Sequence, residues 1–533
     1  MLILPEKRAI ALKLKNPSKV TQVIPDAKVM HWRGVPITLI PHRLDETLVL
    51  RNNGINIPSP VQYHYEWSGQ YQPFAVQRTT VDMLTIHPRA FVLNDMGSGK
   101  TVSTLWAFDY LRQKKRVKRA LIVAPLSTLE RAWGDEVFRN FPHLNYAVLH
   151  GSRSKRLKLL ADKSFDLYIV NHDGMEIIAD DLAQRHDIDL IVVDELAVLR
   201  NASTDRWKVA NEICNKHQWI VKSKDGTQYP KVRRVWGLTG TPTPNAPTDA
   251  YAQVKLLRPE SVKDIPFGRF KDKVMQQISQ YVWVPRLDAQ RIVAEYMHPS
   301  VRFSLEDCID LPELVHIDRD APLSPDQAKA YNQMMNQLVT EMAEGEIIAV
   351  NEGVKASKLI QISCGVAYDV DGMERVTGAD ARVNVVKELV EESTSGKAIV
   401  FVPFRSVVSY VTNKLRKSGY RVESIDGSTS KRERDRIFTE FQQGRELQVI
   451  VAIPSCMAHG ITLTAASTIV WYAPVTSNEI FTQANARCHR PGQKHKCVVA
   501  QIGGTPIERK YYKRLKEKQS AQGLLLEILQ TGK

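Results

Sequence analysis

The sequence predicts an α/β protein whose parallel sheets are flanked by helices, and three stretches carry that prediction. Residues 89–113, "RAFVLNDMGSGKTVSTLWAFDYLRQ", pass from an apolar run through a Gly-containing turn to apolar residues at helical spacing, Val102, Leu105, Trp106 and Tyr110. Residues 187–201, "DIDLIVVDELAVLRN", are an apolar run that ends in two acids, which places carboxylates at the C-terminal end of a strand. Residues 447–478 contain no Lys, Arg, Asp or Glu, a length at which a membrane span must be weighed. Pro454, His459, Gly460 and Pro474 interrupt it, so "VIVAI" and "STIVWY" read as buried parallel strands around a loop.

A chain of 533 residues exceeds one hydrophobic core and suggests several domains. Lys and Arg outnumber Asp and Glu by 73 to 58, a net charge of +15 that favours a polyanionic partner. "RQKKRVKR" (112–119) and "SRSKRLK" (152–158) concentrate that charge, although such runs are also ordinary solvated helix ends. Six scattered cysteines make no disulfide framework and fit a reducing compartment. Charges interrupt every apolar run of "MLILPEKRAIALKLKNP", which leaves no signal-peptide core.

The turn at 94–101 has the chemistry of a phosphate loop. Gly97 and Gly99 let backbone N–H groups curl around a phosphate, Lys100 would neutralise β- and γ-phosphates, and Thr101 would ligate magnesium. The full pattern wants a first glycine where this chain has Asn94. Asp194 would hold Mg²⁺ through water and Glu195 would orient and deprotonate the attacking water. "VWGLTGTPTPN" (235–245) adds a further strand that ends in Thr239 and Thr241.

The series "PFAVQ", "DMGSGKT", "LIVAPLSTLERAWGDEV", "DLYIVNHDGM", "VVDELAVLRN" and "GLTGTPTPN" resembles the first lobe of superfamily-two helicases, specifically the Swi/Snf group of DNA translocases. "GKAIVFVPFRSVVSYV", "YRVESIDGSTSKRERDRIFTEFQQG" and the run 447–493 ending "QANARCHRPGQ" are similar to that group's second lobe, so the resemblance spans about residues 66–515. It implies two RecA-like lobes and a nucleic-acid-stimulated ATPase that uses ATP and Mg²⁺. It also implies roles by position. Gln77 would read the adenine, and Met96, Gly97, Ser98, Gly99, Lys100 and Thr101 would hold the nucleotide. Thr101 and Asp194 would carry the metal, and Thr239, Thr241 and Gln483 would couple the nucleotide site to the nucleic-acid track. Arg487 and Arg490 would complete the catalytic set of Lys100, Asp194 and Glu195 from the second lobe, because a developing negative charge needs a guanidinium beside it.

The same stretch also crowds Cys488, His489, His495 and Cys497 together, like half a zinc site, but the interval from Cys488 to Cys497 is wrong for a structural one. Departures from the family pattern are Leu196–Ala197 after the acids, His459 before Gly460, and Ala486 before Arg487; they bear on coupling rather than on hydrolysis.

Hydroxyl-rich loops at strand ends offer donors to phosphates without reading bases, and the family register selects Ser127, Thr128, Asn171, Gly427, Ser428, Thr429, Gly460 and Thr462 for that contact. The expected partner is duplex DNA bound without sequence preference and with steep salt dependence. The expected state is a monomer away from membranes, in the cytoplasm of a bacterial or phage-infected host cell. The expected division is a small β-rich accessory region (1–65), lobe 1 (66–258), a helical insertion (259–300), and lobe 2 (301–533) with a helical insertion at 323–375. "SKDGTQYP" (223–230) reads as a hairpin-like insertion, and Ser430 with Glu433 as a capping box. Two other functions fit the same residues: a strand-separating helicase, and a nucleic-acid-binding scaffold with weak ATPase.

Overall fold

The computed structural model describes residues 1–222, 226, 228–280, 282–308, 310–343, 349–368, 374–457 and 462–531. The chain divides into two compact units, Met1–Thr243 with Pro247–Cys308 and Leu525–Lys533, and Pro244–Ala246 with Ile309–Leu524.

The first unit opens with an antiparallel sheet of β1 (Leu2–Leu4), β2 (Ala9–Leu12), β3 (Lys28–Trp32) and β4 (Val35–Pro41), in the order β1-β2-β4-β3. Period-two alternation sends Ile10, Leu12 and Ile40 inward, where they pack with Ile24, Leu50 and Ile57. β3 is exposed along its whole length, and Arg33 (φ 50°) and Gly34 (φ 77°) make the tight turn into β4.

The main sheet of this unit is built from β5 (Arg89–Val92), β6 (Arg119–Ala124), β7 (Tyr146–Val148), β8 (Leu167–Asn171) and β9 (Ile188–Asp194). A hairpin, β10 (Gln218–Lys222) and β11 (Gln228–Val232), follows where the insertion was expected; residues 223–225 and 227 of its turn lie outside the described residues. β12 (Arg234–Leu238) returns to the sheet. Another hairpin, β13 (Met275–Gln277) and β14 (Trp283–Pro285), precedes the edge strand β15 (Ser300–Val301). Among the described residues the sheet has seven strands, all parallel, in the order β15-β5-β12-β9-β6-β8-β7. Both faces are covered, which explains why its strands read as continuous apolar runs. Leu121, Val123, Ile191 and Val193 enter one core, while Ile122, Val192 and Trp236 enter the other.

Residues 259–300, expected to be helical, contain the helices Phe267–Val274 and Ala289–Tyr296 with the β13–β14 hairpin between them. Strands of three residues are too short to display a period, which is why the pattern showed only helix. Lys271 Nζ lies 3.6 Å from the centroid of the Trp283 ring and fastens the hairpin to the first helix. The segment 301–308, expected in lobe 2, runs with the first unit instead.

The second unit begins with β16 (Leu314–Asp320), followed by a two-stranded ribbon of β17 (Val366–Tyr368) and β18 (Glu374–Val376). Then come β19 (Ala398–Phe401), β20 (Val422–Ile425), β21 (Val449–Ala452), β22 (Thr468–Trp471) and β23 (Cys497–Gly503). The parallel order is β16-β23-β22-β19-β21-β20, so the uncharged stretch supplies two strands, β21 and β22, on either side of β19. Among the described residues no helix is long and apolar enough to cross a membrane.

Two helix starts show how side chains fix these elements. Helix Pro325–Ala343 has a reciprocal cap: Gln327 N donates to Ser324 Oγ at 3.2 Å, and Ser324 N donates to Gln327 Oε1 at 2.9 Å. At helix Lys431–Gln443, Ser430 Oγ accepts from Glu433 N at 3.2 Å, but the Glu433 carboxylate turns to Arg436 at 2.7 Å. That box is therefore half formed, because the guanidinium is the stronger partner for a carboxylate.

Candidate active site

β5, β9 and β12 bring their C-terminal ends to one edge of the first sheet. Leu238 pairs with both Val92 and Asp194, and Thr239 N donates to Val92 O at 3.0 Å. From this edge the loop after β5 turns back into helix Lys100–Gln113 through Gly97 (φ 86°) and Gly99 (φ 80°), both in the left-handed region that glycine adopts without steric cost. A Cβ at position 99 would also collide with Gln77 Nε2.

Gln77 bonds at both ends of its amide: Nε2 donates to Ser98 O at 3.2 Å and Oε1 accepts from Phe74 N at 3.0 Å. The glutamine expected at the adenine thus also braces the loop. Ser98 is buried, its Oγ donating to Asp95 O at 2.8 Å, while Met96, Gly97 and Thr101 are half-buried. Lys100 Nζ donates to Asn94 O at 2.9 Å and to Asp95 O at 3.0 Å. Burial pushes its pKa down, and the charges of Glu195, Asp194 and Asp95 push it back up.

Asp194 ends β9 half-buried, and burial raises its pKa. Trp133 Nε1 opposes that shift by donating to Oδ2 at 2.9 Å, and so do Lys100 and Glu195 N, which donates to Oδ1 at 3.0 Å. His172 Nε2 donates to the Asp194 carbonyl at 2.9 Å. Glu195 stands at φ 51°, ψ 53°, a left-handed backbone rare for a side chain of its kind. Such strain persists only where surrounding contacts enforce it, and it recurs at reacting centres.

The Thr239–Thr241 turn crosses beside the loop. Thr241 N donates to Thr239 Oγ1 at 3.1 Å, and a Cβ on Gly240 would lie 3.5 Å from Asn94 O and 3.6 Å from Met96 N. Thr241 Oγ1 is buried without a hydrogen-bond partner among the described residues. These features fit a triphosphate with a divalent cation: a glycine cradle, an ammonium held on two carbonyls within the field of Glu195 and Asp194, and an orphaned hydroxyl at the same edge. Sequence reasoning missed Trp133, His172, Asp95 and Arg302. Trp133 and His172 lie inside the quoted motifs, so proximity in sequence was the available signal; Arg302 offered none.

In the second unit Arg487 is 5 % exposed; its Nε donates to Gln483 O at 2.9 Å and its carbonyl accepts from Leu463 N at 3.0 Å. Burial pushes the pKa of Arg490 down. Gln483 is buried, and its Nε2 has no hydrogen-bond partner among the described residues. Of the zinc-like set, Cys488 is in the hydrophobic core with its thiol pKa raised by burial, and the Cys497 thiol is pushed up to about 11 for the same reason. His489 Nε2 donates to Pro312 O at 2.8 Å, and His495 is exposed.

The loops expected on nucleic acid differ in availability. Ser127, Gly427, Ser428 and Thr462 are exposed, whereas Thr128 is buried with its hydroxyl on Pro125 O at 2.8 Å. Asn171 Oδ1 accepts from Arg156 Nη1 at 3.1 Å. Ser428 N and Oγ donate to Asp426 Oδ1 at 2.8 and 2.6 Å, and Thr429 Oγ1 accepts from Asp426 N at 3.0 Å. Gly460 and His459 lie outside the described residues. The basic tract 112–119 is partly neutralised from within, through Arg112–Asp166, Arg116–Asp45 and Arg119–Asp187.

Comparison with known proteins matches residues 89–364 to the SNF2-related domain and residues 381–492 to the helicase conserved C-terminal domain. Protein p41 of Acyrthosiphon pisum secondary endosymbiont phage 1 is 23 % identical over 486 residues, covering 86 % of this chain and 99 % of that protein. The SWI/SNF-related matrix-associated actin-dependent regulator of chromatin subfamily A-like protein 1 of Xenopus laevis is 26 % identical over 440 residues. That match covers 80 % of this chain but only 41 % of the frog protein, so the chain spans less than half of that relative's length. Among solved structures, the Sulfolobus solfataricus SWI2/SNF2 ATPase core in complex with dsDNA is 22 % identical with a TM-score of 0.40, covering 87 % of this chain and 94 % of that one.

Proposed function

The chain belongs to the SNF2-related family of helicase-like ATPases, and from that premise we propose that it hydrolyses ATP to move along duplex DNA, remodelling DNA or the proteins bound to it. The observation that carries this reading is the convergence of Lys100, Asp194, Glu195 and the Thr239–Thr241 turn on one edge of one sheet.

In this reading the N–H groups of Met96–Gly99 and the Lys100 ammonium bind the phosphates. Thr101 and Asp194 would hold Mg²⁺, which when bound offsets charge between the β- and γ-phosphates. Glu195 orients water and accepts its proton. Arg487 and Arg490 supply positive charge to the γ-phosphate, and Thr239, Thr241 and Gln483 relay the nucleotide state. The +15 charge and the exposed Ser127, Gly427, Ser428 and Thr462 support DNA as a sequence-nonspecific partner. Residues 1–65 serve as an accessory region to a monomeric two-lobed motor.

The test is phosphate release with and without duplex DNA, together with displacement of a third strand from a triplex. Lys100→Ala and Glu195→Gln should lose DNA-stimulated hydrolysis by roughly 100-fold or more while still binding DNA. Equal release with and without DNA would rule out a motor. Separation of the duplex rather than of the third strand would make the protein a helicase.

A further inference from the structure

The phosphate loop is held from a place its own motif does not reveal. The ladder runs along β5 and past its end: Phe91 N donates to Pro299 O at 3.0 Å, Leu93 N to Val301 O at 2.8 Å and Asp95 N to Phe303 O at 3.0 Å. The first two loop residues are then gripped by their side chains. Asn94, which stands where the phosphate-loop pattern wants glycine, is 2 % exposed; Nδ2 donates to Thr80 Oγ1 at 2.9 Å and Oδ1 accepts from Phe303 N at 3.0 Å. Asp95 Oδ1 pairs with Arg302 Nη2 at 2.7 Å, and Oδ2 accepts from Leu305 N at 3.1 Å. The Arg302 side chain is 7 % exposed, and its Nη1 donates to Leu93 O at 3.1 Å and to Phe303 O at 2.7 Å.

The carbonyls of these same two residues, Asn94 and Asp95, hold Lys100 Nζ. We propose that residues 300–305 form a strap that sets the phosphate loop, with Arg302 as a positioning residue that acts through Asp95 on the Lys100 ammonium. Asp95 offers its carboxylate to the strap and its carbonyl to Lys100 and Ser98, so a displacement of the carboxylate must move the carbonyls that aim the ammonium. Arg302 is suited to the task because one planar guanidinium spans an acid and two carbonyls in a fixed geometry that a lysine's point charge does not impose.

This proposal rests on the ATP-site reading, and the experiment separates the two. MgATP turnover is measured for the full-length protein, Arg302→Met, Arg302→Lys, Asp95→Asn and Lys100→Ala, with direct binding of MgADP by calorimetry and with melting curves. Arg302→Met is expected to raise KM for ATP and weaken MgADP about ten-fold or more, the scale of a lost charge-assisted hydrogen bond, while kcat changes less than about three-fold. Arg302→Lys should recover part of the affinity by keeping the charge beside Asp95. Asp95→Asn should shift KM in the same direction, and it decides the matter if Arg302→Met does not fold. Folded Arg302→Met or Asp95→Asn with wild-type KM and MgADP affinity would overturn the strap. Wild-type turnover by Lys100→Ala would instead overturn the ATP-site reading.

Discussion

Asp194 shows what one neighbour can do for a buried acid. Trp133 Nε1 is a donor whose only visible task is to keep that carboxylate charged. Trp133→Phe keeps the ring and deletes the donor, so kcat/KM for ATP should fall about ten-fold, in line with roughly 1.5 kcal/mol for a hydrogen bond to a charged group. Steady-state kinetics check this, and an unchanged value would mean that Asp194 Oδ2 needs no partner. His42 is a second case. Its Nε2–H donates to Pro58 O at 2.9 Å, which leaves Nδ1 to accept from His64 Nε2 at 3.2 Å. Burial lowers the pKa of both rings below 6.5. Below that pH the unfolded chain takes up protons that the folded chain resists, so stability is full above about 6.5 and falls as pH drops toward the folded values. Tm should therefore decline between about pH 7.5 and about pH 5.5, and less steeply in His42→Gln; parallel curves would remove the pair from the account. The placement of Lys100 at a helix start and of Asp194 at a strand end was legible because loop and strand patterns are local. Trp133 and the strap were not, because Trp133 meets Asp194 across 61 residues and Phe303 meets Asn94 across 209.

Secondary-structure elements were legible where their patterns were long. β9, β21 and β22 follow the apolar runs that announced them, and Ser430 sits at the helix start its spacing marked. The β13–β14 hairpin was hidden by its brevity. A deeper contact, invisible to any period, ties two helices of the second unit: Arg382 and Glu508 have side chains 2 % and 0 % exposed and pair at 2.8 Å. Glu508 Oε2 also accepts from Gly504 N at 3.0 Å and Thr505 N at 3.1 Å, so it caps helix Pro506–Thr531 while holding helix Asp380–Glu391. Arg382→Met strands a buried carboxylate and should cost about 3–5 kcal/mol in urea unfolding. The double variant with Glu508→Leu should cost less than that single change; an equal or greater loss would show that the cap, not the pairing, dominates.

At the scale of the molecule, the order of the motifs carried the architecture: two parallel sheets, each covered on both faces, with the residues proposed for hydrolysis at the C-terminal edge of the first. Net charge was less informative about place. Three arginines of the most basic tract are spoken for by Asp166, Asp45 and Asp187, so the positive surplus does not reside there in full. Whole-molecule stability also bears the mark of the proposed site, through the left-handed backbone of Glu195. Asparagine tolerates that conformation better, so Glu195→Asn should melt higher, by the equivalent of about 1 kcal/mol, and turn over no ATP. A lower Tm would show the backbone there to be at ease. A laboratory selection for heat resistance alone would thus be drawn to position 195 and would return a tougher, inert protein.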